Sequence, residues 1–324
     1  MHDNYNVKRI GEAEFNLLIP LMKNCFGMDA SIEYFRWKYT DNPAGSFVGF
    51  VAEHKETGEI GAYYGVIAQS FIVNDEPRVI YQSCDTMTHS DHRRKGLFRL
   101  LATTCYKALE DEGKLFVIGF GGGQSTPGFL KFGWKRLFDF RYYFKPNLLC
   151  QPARLARTDL SKIKDESAID SIDQGVDHSR SEINGSCNAN RTKEGIRWRL
   201  SNPYHDYRTA WVDGDEKSYI TYYMEAEKMV IFDVSISDLQ NSKKIMTHLS
   251  RKVCDEGLKG MLSFAKEDGL DAKNLKKLGF VSNPTKYGPL NEKVPFIFYA
   301  PEKELEQFES ESNWAVTSYD HDSL

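Results

Sequence analysis

The residues best placed to do chemistry lie between positions 81 and 101. The run His92-Arg93-Arg94-Lys95-Gly96 sets three consecutive basic side chains and a glycine directly before Leu97-Phe98-Arg99-Leu100-Leu101. The apolar spacing from Leu97 predicts an amphipathic helix over 97–112, and Tyr81 to Thr88 reads as a strand. A strand that feeds a basic, glycine-bearing turn at a helix N-terminus is suited to an anion. The first helical N–H groups and the positive end of the dipole point at a phosphate, and glycine lets the backbone approach it. The residues alone also fit a solvated basic turn ahead of an ordinary helix. Two groups nearby can take a proton, Asp85 within the strand and His89 at its end. Each has a plainer role open to it as a strand-end hydrogen-bonding residue.

The elements that must position these groups follow in order. After the helix come the apolar strand Leu115–Phe120, a polar turn Gly121-Gly122-Gly123-Gln124-Ser125-Thr126-Pro127, and the run Phe129-Leu130-Lys131-Phe132-Gly133-Trp134. The first motif resembles the pyrophosphate loop R/Q-x-x-G-x-G/A of the GCN5-related N-acetyltransferases (GNAT), with Arg93, Gly96 and Phe98 at the marked positions. Phe98 stands where that family carries a small residue. The second resembles the family's Y-x-K-x-G-F signature, with Phe129 for Tyr and Trp134 for Phe.

The resemblance implies acetyl-CoA as co-substrate. The backbone from Arg94 through Lys95, Gly96, Leu97 and Phe98 to Arg99 would hold the pyrophosphate, with Arg93, Arg94 and Lys95 adding charge. Unpaired backbone groups of Met87, Thr88 and His89 would bond the pantetheine arm and stabilise an oxyanion. Ser125 and Phe129 join the expected cofactor contacts, and Asp85 and His89 are the expected catalytic groups. The family's leaving-group acid is the Tyr replaced here by Phe129, so that role falls vacant or to another residue; Tyr81 and Tyr106 are the candidates.

Composition bounds the partners. The 324 residues suit two domains, 41% are hydrophobic and 27% charged, and the net charge is −4. There is no basic excess for nucleic acid, no apolar run long enough for a membrane span, and no signal-like N-terminus, so a cytoplasmic protein is expected. The six cysteines, at 25, 84, 105, 150, 187 and 254, form no C-x-x-C pair and read as reduced thiols; no metal is expected.

The chain also echoes itself. Arg36-Trp37-Lys38 ahead of Asn42-Pro43 has a counterpart in Arg197-Trp198-Arg199 ahead of Asn202-Pro203, and Phe129–Trp134 has one in Leu275-Lys276-Lys277-Leu278-Gly279-Phe280. Two ordered matches predict duplication. The expected fold is α/β: two tandem GNAT-like domains, 1–155 and 156–324, each a mixed central sheet flanked by helices. The second is degenerate, because where the loop should be it has no glycine, and Asp238 reads as a helix N-cap.

Tandem relatives of the enhanced-intracellular-survival type carry a loop R-R-x-G-L like Arg93–Leu97 and bring their C-terminal carboxylate to the active site. A polar, acidic tail from 312 to 324 therefore places Asp320 and Asp322 in an expected acceptor pocket, with a frayed end as the plainer reading. The expected reaction is transfer of an acetyl group to a primary amine of a small molecule, an amino sugar being the first candidate. The alternatives are a catalytically inactive acyl-CoA-binding module and, with less support from this acidic chain, a peptidoglycan-type aminoacyl ligase.

Overall fold

The computed structural model describes every residue except Met1, Gln124, Ser181, Glu182, Asn184, Pro284, Lys286, Ser323 and Leu324, and His2 by its backbone alone. Gln124 of the polar turn and the last two residues of the tail thus lie outside the described residues. The chain forms two compact units. The first is 1–137 with 295–314, and the second is 138–294 with 315–324. The division falls at Leu137/Phe138, earlier than the boundary expected near 155, and each unit takes a segment from the far part of the chain.

The first unit opens with β1 (Tyr5–Arg9), α1 (Leu18–Phe26) and α2 (Ile32–Phe35), which runs on as a wider turn through Thr40. Then come β2 (Val48–His54), β3 (Ile60–Val73), β4 (Glu76–Thr88), α3 (Leu97–Asp111), β5 (Val117–Phe120) and α4 (Thr126–Lys131). Strands β1 to β4 pair antiparallel in sequence order, and β5 joins β4 in parallel. Helix α3 forms because Leu97, Leu101, Cys105 and Leu109, with Ala102 and Tyr106, share one face. That face is buried against Tyr64, Val66 and Val117 of the sheet.

The second unit begins within β6 (Lys135–Pro146), from Phe138 onward, and continues through α5 (Asn147–Cys150) and α6 (Pro152–Leu155). Next are β7 (Ile163–Ser167), α7 (Ala168–Asp173), β8 (Cys187–Ala189), α8 (Lys193–Leu200), β9 (Arg208–Val212), β10 (Asp215–Glu225) and β11 (Lys228–Ser235). Last come α9 (Leu239–Asp255), β12 (Gly260–Lys266), α10 (Leu270–Lys277) and β13 (Val281–Ser282). The ladders β7–β9–β10–β11 are antiparallel and β11–β12 is parallel, which repeats the first unit strand for strand.

Each sheet is completed from the other half of the chain. In the first unit, β14 (Lys293–Tyr299) pairs antiparallel with β5, Ile297 opposite Gly119. In the second, β6 pairs antiparallel with β12, Phe144 opposite Leu262. After β14 the chain adds α11 (Glu302–Phe308) and β15 (Trp314–Ala315). Trp314 is a core residue of the first unit, ringed by Phe71, Phe116, Phe296, Phe298 and Phe308. No helix of the described residues is long and apolar enough to cross a membrane.

Candidate active site

In the first unit, two irregularities in β4 create the site. The first is a bulge. Tyr63 pairs with Met87, but the next paired residue, Gly65, faces Cys84, so Asp85 and Thr86 together oppose Tyr64. Asp85 takes the left-handed conformation (φ 46°), uncommon for a residue with a side chain. The second is a splay. The parallel ladder to β5 holds Tyr81 opposite Val117 and Gln82 opposite Ile118, and β4 then runs on for six residues without a ladder on that side. A wedge with free backbone groups is left between the two strands.

Within that wedge the ladder assigns the backbone groups. His89 N–H donates to Gly61 O at 3.0 Å, so alternation along the strand turns Met87 toward β3 as well and leaves Thr88 facing the open side. Of the three residues expected there, Thr88 is the one whose backbone faces away from β3, with its C=O accepting from Arg93 Nε at 3.5 Å and its backbone N–H against the Cys25 thiol.

The loop after β4 has the backbone of an anion cradle. Arg94 (φ 60°) and Gly96 (φ 76°) both adopt left-handed conformations, and Gly96 is the N-cap of α3 with no side chain closing the helix end. The first N–H groups of α3, at Leu97, Phe98 and Arg99, precede the first intrahelical bond, which Leu100 N makes to Gly96 O. Arg93, Arg94 and Arg99 are exposed, and Lys95 is half-buried beside the Tyr5 ring. The second unit differs here as expected: Asp238 caps α9 by accepting from Asn241 N at 2.8 Å. Its carboxylate occupies the place that an anion would need.

The loop is pinned at its start. Tyr5 OH lies 2.6 Å from His92 Nδ1, and His92 Nε2 lies 2.9 Å from Glu59 Oε2. His89 Nδ1 accepts from Asp91 N–H at 3.3 Å, and its Nε2 faces Glu59 Oε1 at 3.7 Å. One tautomer assignment satisfies all of these: Tyr5 donates to His92, and both Nε2–H groups face the Glu59 carboxylate. The buried His92 ring also packs on Gly61, where a Cβ would come within 3.0 Å of it. The donor atoms of Glu59, His89 and His92 lie within 4.8 Å of one another, a spacing a divalent cation can use, yet Glu59 and His92 already share a hydrogen bond.

Asp85 is likewise held. Its Oδ1 accepts from Lys38 Nζ at 2.9 Å and its Oδ2 from Tyr39 OH at 2.7 Å; Lys38 also donates to Tyr34 OH at 3.3 Å. Burial and the adjacent Asp85 charge push the Tyr39 phenol well above its ordinary range, so it stays a donor. Sequence reasoning noted Lys38 only as a repeat marker. The signal for more was a lysine between aromatic residues, in a helix whose neighbouring positions are core.

The two departures from the family signature compensate each other. Phe98 meets Phe129 edge-on with centroids 5.0 Å apart, and a Cβ on Gly128 would come within 2.9 Å of the Phe98 ring. Bulk at position 98 is thus accommodated by the glycine at 128. Phe129 is buried among Tyr64, Phe98 and Trp134 and offers no proton. Tyr106 OH is bonded to Tyr64 OH and to Trp134 Nε1, both at 3.0 Å, with its pKa raised by burial; Tyr81 is buried. Ser125 is half-buried at the start of α4.

The tail packs in the second unit. Ser318 Oγ donates to Phe232 O at 2.7 Å, Arg199 donates to Tyr319 O at 3.2 Å and also to His321 O, and the His321 ring lies edge-on to Phe264. Phe232 and Phe264 directly follow the last paired residues of β11 and β12, Ile231 and Ser263. The tail therefore fills the wedge that corresponds to the open one in the first unit. Asp320 is buried and accepts from Thr317 N at 2.7 Å, and Asp322 lies 3.9 Å from His321 Nδ1.

A bulged, splayed strand feeding a basic turn at a helix N-terminus is an arrangement suited to an acyl-CoA-dependent transferase. Residues 6–137 match the family described as Acetyltransferase (GNAT) domain, and that segment is a GNAT acyltransferase domain. Among solved structures it is similar to a probable N-acyltransferase from Enterococcus faecalis V583, a conserved protein of unknown function (TM-score 0.65, 11% identity, covering 91% of this chain and 72% of that one). Saccharomyces cerevisiae N-myristoyltransferase with bound myristoyl-CoA is similar too (TM-score 0.58, 10% identity, 92% and 79%). A third is a GCN5-related N-acetyltransferase from Anabaena variabilis ATCC 29413 (TM-score 0.59, 11% identity, 91% and 73%). At these identities the likeness is one of fold. No curated protein sequence matches the chain.

Proposed function

We propose that the protein transfers an acetyl group from acetyl-CoA to the primary amine of a small molecule, an amino sugar being the first class to test, and that it does so as a tandem enzyme with one working cofactor site. The observation that carries this reading is the pairing, in one unit only, of an open β4/β5 wedge with a glycine-capped basic loop. The second unit has a tail-filled wedge and an Asp-capped helix. On this reading the loop grips the pyrophosphate, and the Thr88 backbone exchanges its contacts with Arg93 and Cys25 for the pantetheine arm. A thioester placed beside the bulge meets backbone N–H groups that can stabilise its oxyanion.

The acceptor amine must lose a proton as it attacks. Each Asp85 oxygen accepts one hydrogen bond from Lys38 or Tyr39 and keeps a further lone pair, so a bridging water can pass the proton to it. His89, whose ring nitrogens face Asp91 N–H and Glu59, is the weaker candidate on this geometry. No tyrosine is assigned as leaving-group acid, because a thiol with pKa near ~8.5 departs tolerably as thiolate. The test is a thiol-release assay with acetyl-CoA against a panel of amino sugars, amino acids and polyamines, with the acetylated product identified by mass. Binding of acetyl-CoA with no turnover on any amine would favour the inactive acyl-CoA-binding module instead.

A further inference from the structure

Away from the transfer site, the second unit holds a cavity of about 320 Å³ between α5–α6, α9 and α10, which falls within the small-ligand range. Three lysines line it, Lys145, Lys243 and Lys277, and no carboxylate does. Lys243 and Lys277 are exposed, and neither is ion-paired among the described residues. Lys145 is buried, with one bond to Leu278 O at 3.0 Å for its three N–H donors, and burial pushes its pKa down. Like charges gathered this way repel one another unless an anion joins them.

A second observation points to the same ligand chemistry. Lys145 is only 9% exposed, and its ammonium meets a single carbonyl, while Ser250 on the same wall is buried with its hydroxyl turned to the Cys150 thiol. A buried cation with donors to spare is costly. An anionic oxygen in the cavity would satisfy the spare donors of Lys145. Apart from Thr247, the rest of the wall is apolar, with Met246 and a half-exposed Leu149.

We propose that this cavity binds a phosphate monoester carried on a short aliphatic chain, its oxygens on Lys145, Lys243 and Lys277 and its methylenes along Leu149 and Met246. The same chemistry is offered by a soluble alkyl phosphate and by the headgroup of an anionic phospholipid. The site is independent of the acyl-transfer reading, since all its residues belong to the second unit.

The test uses the full chain and octyl phosphate below its micelle concentration, followed by calorimetry, with octanol and inorganic phosphate as controls. Octyl phosphate should bind at least about tenfold more tightly than either control, the scale of one or two charge-assisted hydrogen bonds. Lys243→Glu and Lys277→Glu, both exposed, should each weaken it by about tenfold with unchanged melting temperature and unchanged acetyl-CoA affinity. Lysine-dependent pelleting with phosphatidic acid vesicles, in addition to octyl phosphate binding, would support the lipid source; octyl phosphate binding without pelleting would support the soluble one. Octyl phosphate binding no tighter than octanol, or insensitive to both substitutions, would overturn the site. So would pelleting without octyl phosphate binding, which surface charge explains.

Discussion

Lys38 Nζ and Asp85 Oδ1 stand 2.9 Å apart with side chains only 1% and 9% exposed, joining the helical turn after α2 to the bulge of β4. The contact ties the residue that bends the strand to the element bearing Tyr34 and Tyr39. It makes the chemistry of Asp85 inseparable from its structural role unless both partners are changed together.

Asp85→Asn alone should therefore lower stability by about 3–5 kcal/mol, because a buried lysine loses its counter-ion. Pairing it with Lys38→Met should recover most of the melting temperature. If Asp85 takes the proton, turnover of the double variant stays about 10²-fold below wild type with acetyl-CoA affinity kept. Recovery of turnover with stability would reduce Asp85 to a positioning residue.

Glu59 is the shared anchor of His89 and His92 and touches no part of the proposed cofactor cradle. Glu59→Ala should loosen the loop and raise the KM for acetyl-CoA by about tenfold while kcat changes little, the pattern of lost uniform binding. Glu59→Gln keeps one acceptor oxygen and should fall between the two. A change in kcat alone would contradict a role in holding the loop.

Deleting residues 315–324 should lower the melting temperature. Ser318, Tyr319 and His321 close the wedge between β11 and β12, and Arg191 lies 4.0 Å over the Tyr319 ring. The tail segment is built into the second unit. An unchanged melting curve for the truncated chain would contradict that account.

Much of this was legible in the sequence. The apolar spacing of Leu97, Leu101 and Leu109 specified α3 to within a residue at its end, and Asp238 was readable as an N-cap because its side chain acts on the next turn. The Arg-Trp-Lys and Arg-Trp-Arg echoes announced the duplicated strand order. What stayed hidden depends on long-range register. The exchange of β6 and β14 involves partners more than a hundred residues apart, and local pattern carries no record of it. The Tyr5–His92 and Lys38–Asp85 contacts are hidden for the same reason. The tail read as polar, but its wedge exists only once β11 and β12 have diverged.

Acidification should destabilise the second unit first. His178 is buried and His205 half-buried, both with pKa lowered to about 4, by desolvation foremost. Their unfolded value is higher, about 6.5, so the unfolded chain binds more protons between these limits. The stability they contribute is fully present above about pH 6.5 and is lost as pH falls through about 4. Urea unfolding followed from pH 7 to pH 4 should show it, and His178→Phe should flatten the slope; an unaltered slope would contradict the burial of a neutral His178.

The central claim is that one acyl-CoA site exists and that the Gly96 loop forms it. Calorimetric titration of acetyl-CoA into the wild-type chain and into Gly96→Val tests it most directly, with circular dichroism confirming that the variant is folded. Gly96 sits at φ 76°, where a branched side chain is strained and would stand in the path of the pyrophosphate. The account predicts one acetyl-CoA per wild-type chain and a loss of affinity of at least about 10²-fold in the folded variant, the scale of losing several charge-assisted hydrogen bonds. Two sites per chain, or unchanged affinity in Gly96→Val, would contradict it.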